Sequence, residues 1–166
     1  MTAIRKFNIV LIVLVVLLAA SNLLLTEKNN KPVSDIATEQ ISTIEINAGE
    51  ITFGSKIMAF NKTNNLWVLR NDDSIAIDQD KIKKLLDILN THSFRQFENT
   101  QENRVAFKLE DSKNYYLLNN KKIVFGTLDP VNQNRYVLFD NQIHLITDYY
   151  YQFLLADIDF FKATAK

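Results

Sequence analysis

The chain has 166 residues, of which 47% are hydrophobic, and its 19 basic side chains balance its 19 acidic ones. This length fits one modest domain, or one domain with an appendage. Zero net charge gives no electrostatic basis for binding nucleic acid, because the phosphate contribution requires clustered lysine and arginine. The sequence has no cysteine, two histidines and three glycines. We therefore predict no disulfide, no glycine-rich phosphate loop, no cofactor, no metal site and no catalysis.

Residues 7–25 form an uncharged stretch in which fourteen of nineteen residues are Leu, Ile, Val or Phe. As a helix this stretch would be about 28 Å long, at about 1.5 Å per residue. The hydrocarbon core of a bilayer is about 30 Å thick. The sequence therefore predicts one N-terminal transmembrane anchor.

Two alternatives to a retained anchor remain open. A cleaved signal peptide is the first, because the small residues Ala19, Ala20 and Ser21 could serve as a peptidase site. The apolar run continues past that site, which favours retention. A buried core helix is the second, and an N-terminal run that is apolar on every side argues against it. In a retained anchor, the same three small residues would let a partner's helix approach closely.

The basic residues around the stretch predict its orientation. Arg5 and Lys6 precede it, whereas Lys28 and Lys31 follow it together with Glu27. The positive-inside rule then places the N-terminus in the cytoplasm. The predicted organisation is a cytoplasmic tail (1–6), the anchor (7–25), a polar linker (26–40), an extracytoplasmic domain (41–161) and a C-terminal tail (162–166).

From residue 41 onward, short apolar runs alternate with breaks rich in asparagine and aspartate. Asparagine tolerates positive φ better than most residues, so the eighteen asparagines can replace scarce glycine in turns. The runs predict strands near 44–46, 51–53, 57–60, 66–69, 94–97, 105–109, 115–118, 123–125, 136–139 and 143–147.

Two segments have helical periodicity instead. Ile82, Leu85, Leu86 and Leu89 share one helix face, which predicts a helix over 80–92 with Asp78 or Asp80 as its N-cap. A second helix is predicted over 148–156, capped by Asp148. The predicted class is α+β, a mostly antiparallel sheet covered by two helices.

The two halves of the domain have a similar rhythm. Residues 51–54 (ITFG) and 123–126 (IVFG) echo each other, and each half reads as several strands followed by a helix. An internal duplication of a ββββα unit and a coincidence are both open at this point.

The domain also has a recognisable order of motifs. They are Ile44-Glu45-Ile46, the lone Trp67, Ile123-Val124-Phe125-Gly126, Arg135-Tyr136-Val137 and Gln142-Ile143-His144-Leu145-Ile146. In this order the chain resembles a bacterial family of domains of unknown function. Members of that family are tethered by one N-terminal helix and occur beside ABC-type transport components of the gliding-motility-associated kind. The resemblance implies an accessory role at the inner membrane, with integral membrane proteins as partners and no active site to transfer.

The histidines and acidic pairs offer little chemistry. His144 lies between Ile143 and Leu145 in a strand, which predicts that it faces solvent or a partner, with an ordinary surface histidine favoured. Its spacing from His92 does not suggest a metal pair. Acidic pairs occur at 72–73, 78/80, 110–111 and 157/159. A hydrolase would need two of these carboxylates across one cleft. We expect them instead to serve turns and helix caps.

Four residues are candidates for partner contacts. Arg135 could bind an anion or pair with Asp129. For the segment 126–130 that precedes it, we favour a structural role as a turn. The other three candidates are Tyr149, Tyr150 and Tyr151. On a helix, the directions of three successive side chains span about 200°, so we predict that at least one of these tyrosines is exposed.

The sequence therefore favours a non-catalytic, membrane-anchored accessory or scaffolding subunit. The alternative is a module that binds a small envelope ligand such as a lipid or a glycan, which would require an aromatic or apolar cleft with converging polar groups.

Overall fold

The structure is a computed structural model that describes residues 13–17, 32–51 and 54–164. The chain divides into two units, Met1–Lys31 and Pro32–Lys166. In the first unit, residues 13–17 are helical and their five apolar side chains are exposed. Ala19, Ala20, Ser21 and the rest of the predicted anchor lie outside the described residues. Over the described ranges, no helix has both the length and the apolar character that crossing a membrane requires.

The second unit contains one eight-stranded sheet in which all paired neighbours are antiparallel. Its strands are β1 (Thr43–Ile51), β2 (Gly54–Thr63), β3 (Leu66–Leu69), β4 (Arg95–Glu98), β5 (Tyr115–Leu118), β6 (Lys121–Leu128), β7 (Asn134–Phe139) and β8 (Gln142–Thr147). Their spatial order is β3-β2-β1-β5-β6-β7-β8-β4. The sheet and its short helices confirm the predicted α+β class.

Asparagine-rich turns connect the hairpins, as the composition predicted. Asn64 and Asn65 join β2 to β3 with φ angles of 50° and 63°. Asp140 and Asn141 join β7 to β8 with φ angles of 47° and 66°. Positive φ at both central residues gives a turn whose twist matches that of the paired strands.

In the described part of the second unit, four α-helices accompany the sheet. They are α1 (Gln79–Leu86), α2 (Gln101–Ala106), α3 (Gln152–Leu155) and α4 (Ile158–Phe161). Asp78 caps α1 by accepting hydrogen bonds from the backbone N–H groups of Asp80 and Lys81. The helical segment predicted over 80–92 continues as a 3₁₀ helix, Asp87–Asn90. The one predicted over 148–156 begins as the 3₁₀ helix Asp148–Tyr151 before α3. Its N-cap is Thr147, whose hydroxyl accepts from the Tyr149 N–H, so the predicted cap at Asp148 is wrong.

One predicted strand is wrong. Residues 105–109 contain the end of α2 and its exit, because the Thr100 side chain caps this helix by accepting from the Asn103 N–H. Lys108 then turns the chain with φ of 54°, and the Leu109 N–H donates to the Arg104 carbonyl. This is the Schellman arrangement of a helix C-terminus. The apolar alternation of the segment belongs to that exit turn.

The main core lies between one face of the sheet and the helical segments. Phe60 of β2 packs on Phe161 of α4, with ring centroids 5.3 Å apart. Ile82 and Leu85 of α1 and Phe153 of α3 are also almost fully buried in this core. The opposite face of the sheet carries α2 near β7, where Phe107 stacks on Tyr136.

The folded unit begins earlier than the predicted boundary at residue 41. Val33 is 5% exposed, and its N–H donates to the Thr91 carbonyl at 3.1 Å. The Ser34 N–H donates to the Leu89 carbonyl at 3.0 Å. Val33 and Ile36 supply apolar surface within a mostly polar segment, so residues 32–40 pack on the domain.

The two echoing motifs do not occupy equivalent positions. Ile51 ends β1 and pairs with Gly54 at the start of β2. In contrast, residues 123–126 lie within β6. The echo therefore gives no structural support to an internal duplication.

Candidate functional site

Arg135 lies on β7 and is 8% exposed. It forms an ion pair with Asp148 and donates through Nη1 to the Gly126 carbonyl at 2.7 Å. Its guanidinium carbon lies 3.5 Å from the ring centroid of Tyr151. Arg135 thus fastens the 3₁₀ helix that follows β8 to the sheet. Its acidic partner is Asp148 and not Asp129, whose carboxylate instead accepts from Asn132.

The three consecutive tyrosines do not form one surface. Tyr149 is 46% exposed, Tyr150 is buried and Tyr151 is partly covered. The backbone carbonyl of Tyr150 accepts a hydrogen bond from the Tyr116 hydroxyl. Burial raises the pKa of both the Tyr116 and Tyr150 hydroxyls. The prediction that at least one tyrosine is exposed is confirmed, and Tyr149 is the most exposed of the three.

His144 does not face solvent, so that prediction is wrong. It is 4% exposed, and its Nδ1 lies 3.2 Å from the Ser93 hydroxyl. Burial lowers the pKa of His144 to about 4, which leaves the imidazole neutral at pH 7. The reason is that β8 is covered on both faces, since residues 143–146 are all buried. Alternation along such a strand does not separate core from solvent.

Three of the acidic residues have the predicted local roles in turns and helix caps. Asp72 accepts from the N–H and the hydroxyl of Ser74, and Asp157 caps α4 by accepting from the Phe160 N–H. Asp78 caps α1 in the same manner. Within the described ranges, no group of three or more His, Asp or Glu side chains is placed to hold a metal.

A groove of about 530 Å³, here called the aromatic groove, opens on the face of the sheet opposite the main core. Strands β4, β7 and β8 and the turn between β6 and β7 line it. The lining residues are Phe94, Arg95, Phe97, Asp129, Val131, Asn132, Asn134, Tyr136 and Leu145.

A stacked aromatic cluster supports the groove. The rings of Phe107 and Tyr136 are parallel, with centroids 3.9 Å apart. Phe97 packs edge-on against both, at 5.1 Å and 5.7 Å. At the rim, Phe94 is 47% exposed and Val131 is 81% exposed. The groove therefore combines an ordered aromatic base with apolar side chains that remain in contact with water.

Polar groups converge on the same groove. The Arg95 guanidinium lies 4.8 Å from the centroid of the Phe97 ring. Burial raises the pKa of the Tyr136 hydroxyl, the Asp129 carboxylate raises it further, and Arg95 acts in the opposite direction. Tyr136 is therefore a neutral hydrogen-bond donor at pH 7. Among the described side chains, no carboxylate lies within ion-pair distance of Arg95.

A second cleft, of about 580 Å³, separates the exit of α2 from β6. A Cβ atom added to Gly126 would lie 2.3 Å from the Phe107 carbonyl, so only glycine allows this close approach. Basic residues (Arg104, Lys108 and Lys113) and acidic residues (Glu110 and Asp111) both line it. The mixture of charges favours no class of ligand.

The groove residues were not predicted as a site from the sequence. Phe97, Tyr136 and Leu145 come from three strands and meet only because β4 pairs with β8 and β8 with β7. The available signal was β8 itself, where three of the four residues 143–146 are aliphatic. Such a run indicates a strand covered on both faces, and hence a second layer on the far side of the sheet.

Comparison with known proteins places the chain in no family: no family model, no curated protein and no solved structure matches it.

Proposed function

We propose that this chain is a non-catalytic accessory or scaffolding subunit, held at a bacterial inner membrane by a single helix over residues 7–25. One observation carries the proposal. Residues 13–17 are helical, and each of their side chains is between 53% and 64% exposed. At about 100° per residue, five successive positions reach every side of a helix. A helix that is apolar and exposed on all sides is stable in lipid rather than in water.

The proposed orientation places the N-terminus in the cytoplasm and the folded unit outside it. This rests on Arg5 and Lys6 before the stretch. The proposed partners are integral membrane proteins, among them ABC-type transport components, and this rests on the family resemblance. Tethering to one membrane raises the effective concentration of two partners, to about the millimolar range for short linkers. A weak contact through an exposed residue such as Tyr149 would then suffice.

The partner proposal is tested by purifying the full chain from its native membrane in several mild detergents. We expect an integral membrane protein to co-purify in a fixed ratio, because the anchor and the folded unit would both contribute contacts. A monomeric particle without a companion in every detergent would argue strongly against an accessory role. The intact mass of the same sample should correspond to a chain that retains its N-terminal stretch; a product beginning near Asn22 would indicate a cleaved signal peptide.

A second candidate function is a module that binds a small ligand. The aromatic groove favours it, because ligand sites typically combine an apolar lining with a few converging polar groups. Its volume of about 530 Å³ is adequate for a small organic molecule.

A further inference from the structure

We propose that the aromatic groove binds an amphiphile whose apolar body ends in a carboxylate or a phosphate. This inference deepens the second candidate function and rests on it. It does not depend on the anchor.

The apolar body of the ligand would lie on the aromatic base of the groove. Phe107 holds the Tyr136 ring in place from behind, and Phe97 braces both rings. Phe94 and Val131 at the rim would lose their contact with water when a ligand covers them. Removing this apolar surface from water supplies the part of the affinity that does not depend on the charge of the ligand.

Arg95 would bind the anionic end. A guanidinium can donate two parallel hydrogen bonds to a carboxylate or a phosphate. Arg95 is exposed, and no described carboxylate forms an ion pair with it. Tyr136 also lines the groove, and its neutral hydroxyl adds a further donor. The groove thus offers hydrogen-bond donors and positive charge beside an apolar surface.

Among the described residues, Asp129 is the one carboxylate in the lining of this groove. Its Oδ2 accepts from both the backbone N–H and the side-chain amide of Asn132, each at 3.1 Å, and the residue is 9% exposed. The Asp129 carboxylate therefore stabilises the turn between β6 and β7. The exposed guanidinium of Arg95 is the charged group that would contact a ligand. An asparagine at position 129 would keep an acceptor oxygen for the turn and remove the negative charge.

Pairing of an added peptide strand with β4 is a poorer explanation of this surface. The carbonyl of Arg95 accepts from the Ser93 hydroxyl, and the carbonyl of Glu98 accepts from the Asn103 amide. The carbonyl of Phe97 accepts from the Gln142 side chain. Carbonyl direction alternates along a strand, so the carbonyls of Arg95 and Phe97 point to the same side of β4, and side chains already occupy both. The ligand is expected on the face of the sheet and not along its edge.

The test uses the full chain in phosphatidylcholine nanodiscs, with NMR of backbone amides near 95, 97 and 132 as the readout. The probes are octanoate, octyl phosphate, octanol and octylammonium, with empty nanodiscs as the reference for partitioning. We expect saturable shifts with both anions. Octanol should bind at least tenfold more weakly, and octylammonium should give no saturable shift.

Variants separate charge recognition from a general change in structure. Arg95→Gln should weaken octanoate binding about tenfold and leave octanol binding unchanged, whereas the matched control Arg70→Gln should change neither. Asp129→Asn should tighten octanoate binding several-fold. Val131→Asp, at a rim position that is 81% exposed, should weaken it without affecting the fold.

Equal affinities for octanoate and octanol, no effect of Arg95→Gln, or preferential binding of octylammonium would each overturn the proposal. A saturable shift with octanol alone would retain the ligand-binding function but refute anion recognition. None of these outcomes bears on membrane anchoring, which is measured separately.

Discussion

At the scale of single residues, His144 shows how burial converts an ordinary side chain into a determinant of pH stability. It is packed between strands β7 and β4, opposite the buried Val137 and beside Ser93. Burial lowers the pKa of His144 to about 4, against about 6.5 in an unfolded chain. Between these two values the unfolded chain binds more protons than the folded one.

The contribution of His144 to the free energy of unfolding should therefore be fully present above about pH 6.5. It should fall by about 3 kcal/mol as the pH drops toward 4. His144→Gln should remove this part of the pH dependence, since glutamine does not titrate. Urea unfolding of the full chain at a series of pH values between 4 and 7.5 measures it. The same slope in both proteins would show that His144 does not titrate on unfolding.

The sequence predicted some single residues correctly because their roles are local. Asp78 and Asp157 cap helices that begin beside them, and Asn64 and Asn65 turn the chain where they stand. The burial of His144 depends on strands from other parts of the chain. Alternation within β8 therefore could not reveal it.

At the scale of elements, a glutamine side chain forms hydrogen bonds with the free edge of strand β3. The N–H of Trp67 donates to Gln79 Oε1 at 2.7 Å, and Gln79 Nε2 donates back to the Trp67 carbonyl at 3.0 Å. The same Nε2 also donates to the Ile77 carbonyl at 2.9 Å. A side chain at the start of α1 thus takes the place of a further strand. This protects an edge that could otherwise pair with another chain.

Gln79→Glu should destabilise the domain by about 1–3 kcal/mol. The amide donates hydrogen bonds to the carbonyls of Trp67 and Ile77, whereas a carboxylate has no donor and would repel these oxygens. Fluorescence of Trp67, the one tryptophan of the sequence, can follow urea unfolding of the full chain. Lys84→Ala, on the exposed side of α1, is the matched control and should change stability by less than about 0.5 kcal/mol. Equal effects of the two substitutions would show that the glutamine does not support β3.

The elements themselves were largely predictable. Strands β3 and β5 have the predicted bounds, and α1 begins at its predicted cap. The failure was residues 105–109, where period-two alternation indicated a strand. The Thr100 cap begins a helix before this segment, and Lys108 ends it in the left-handed conformation. An alternation of only three apolar residues was too short to predict a strand reliably.

At the scale of the whole molecule, the order of the strands could not be derived from the sequence. Strand β4 follows α1 in the chain but pairs with β8, and β1 pairs with β5. These long-range pairings create both the covered strand β8 and the aromatic groove. A pattern along the chain reports which residues are apolar, whereas a site on a sheet face depends on which strands are neighbours.

The central claim is that residues 7–25 hold this chain in a membrane. By a scale of transmembrane insertion, the fourteen Leu, Ile, Val and Phe residues contribute roughly 4–8 kcal/mol, and two arginines near the centre cost roughly 5–7 kcal/mol. The substitutions Val13→Arg and Val16→Arg together should therefore cancel insertion. Val131→Arg, on the exposed rim of the groove, is the control.

The decisive measurement is alkaline extraction of membranes that contain each full-length protein. The parent chain and Val131→Arg should remain in the membrane pellet, and the Val13→Arg, Val16→Arg double variant should appear in the supernatant. Release of the parent chain together with the double variant would contradict the account.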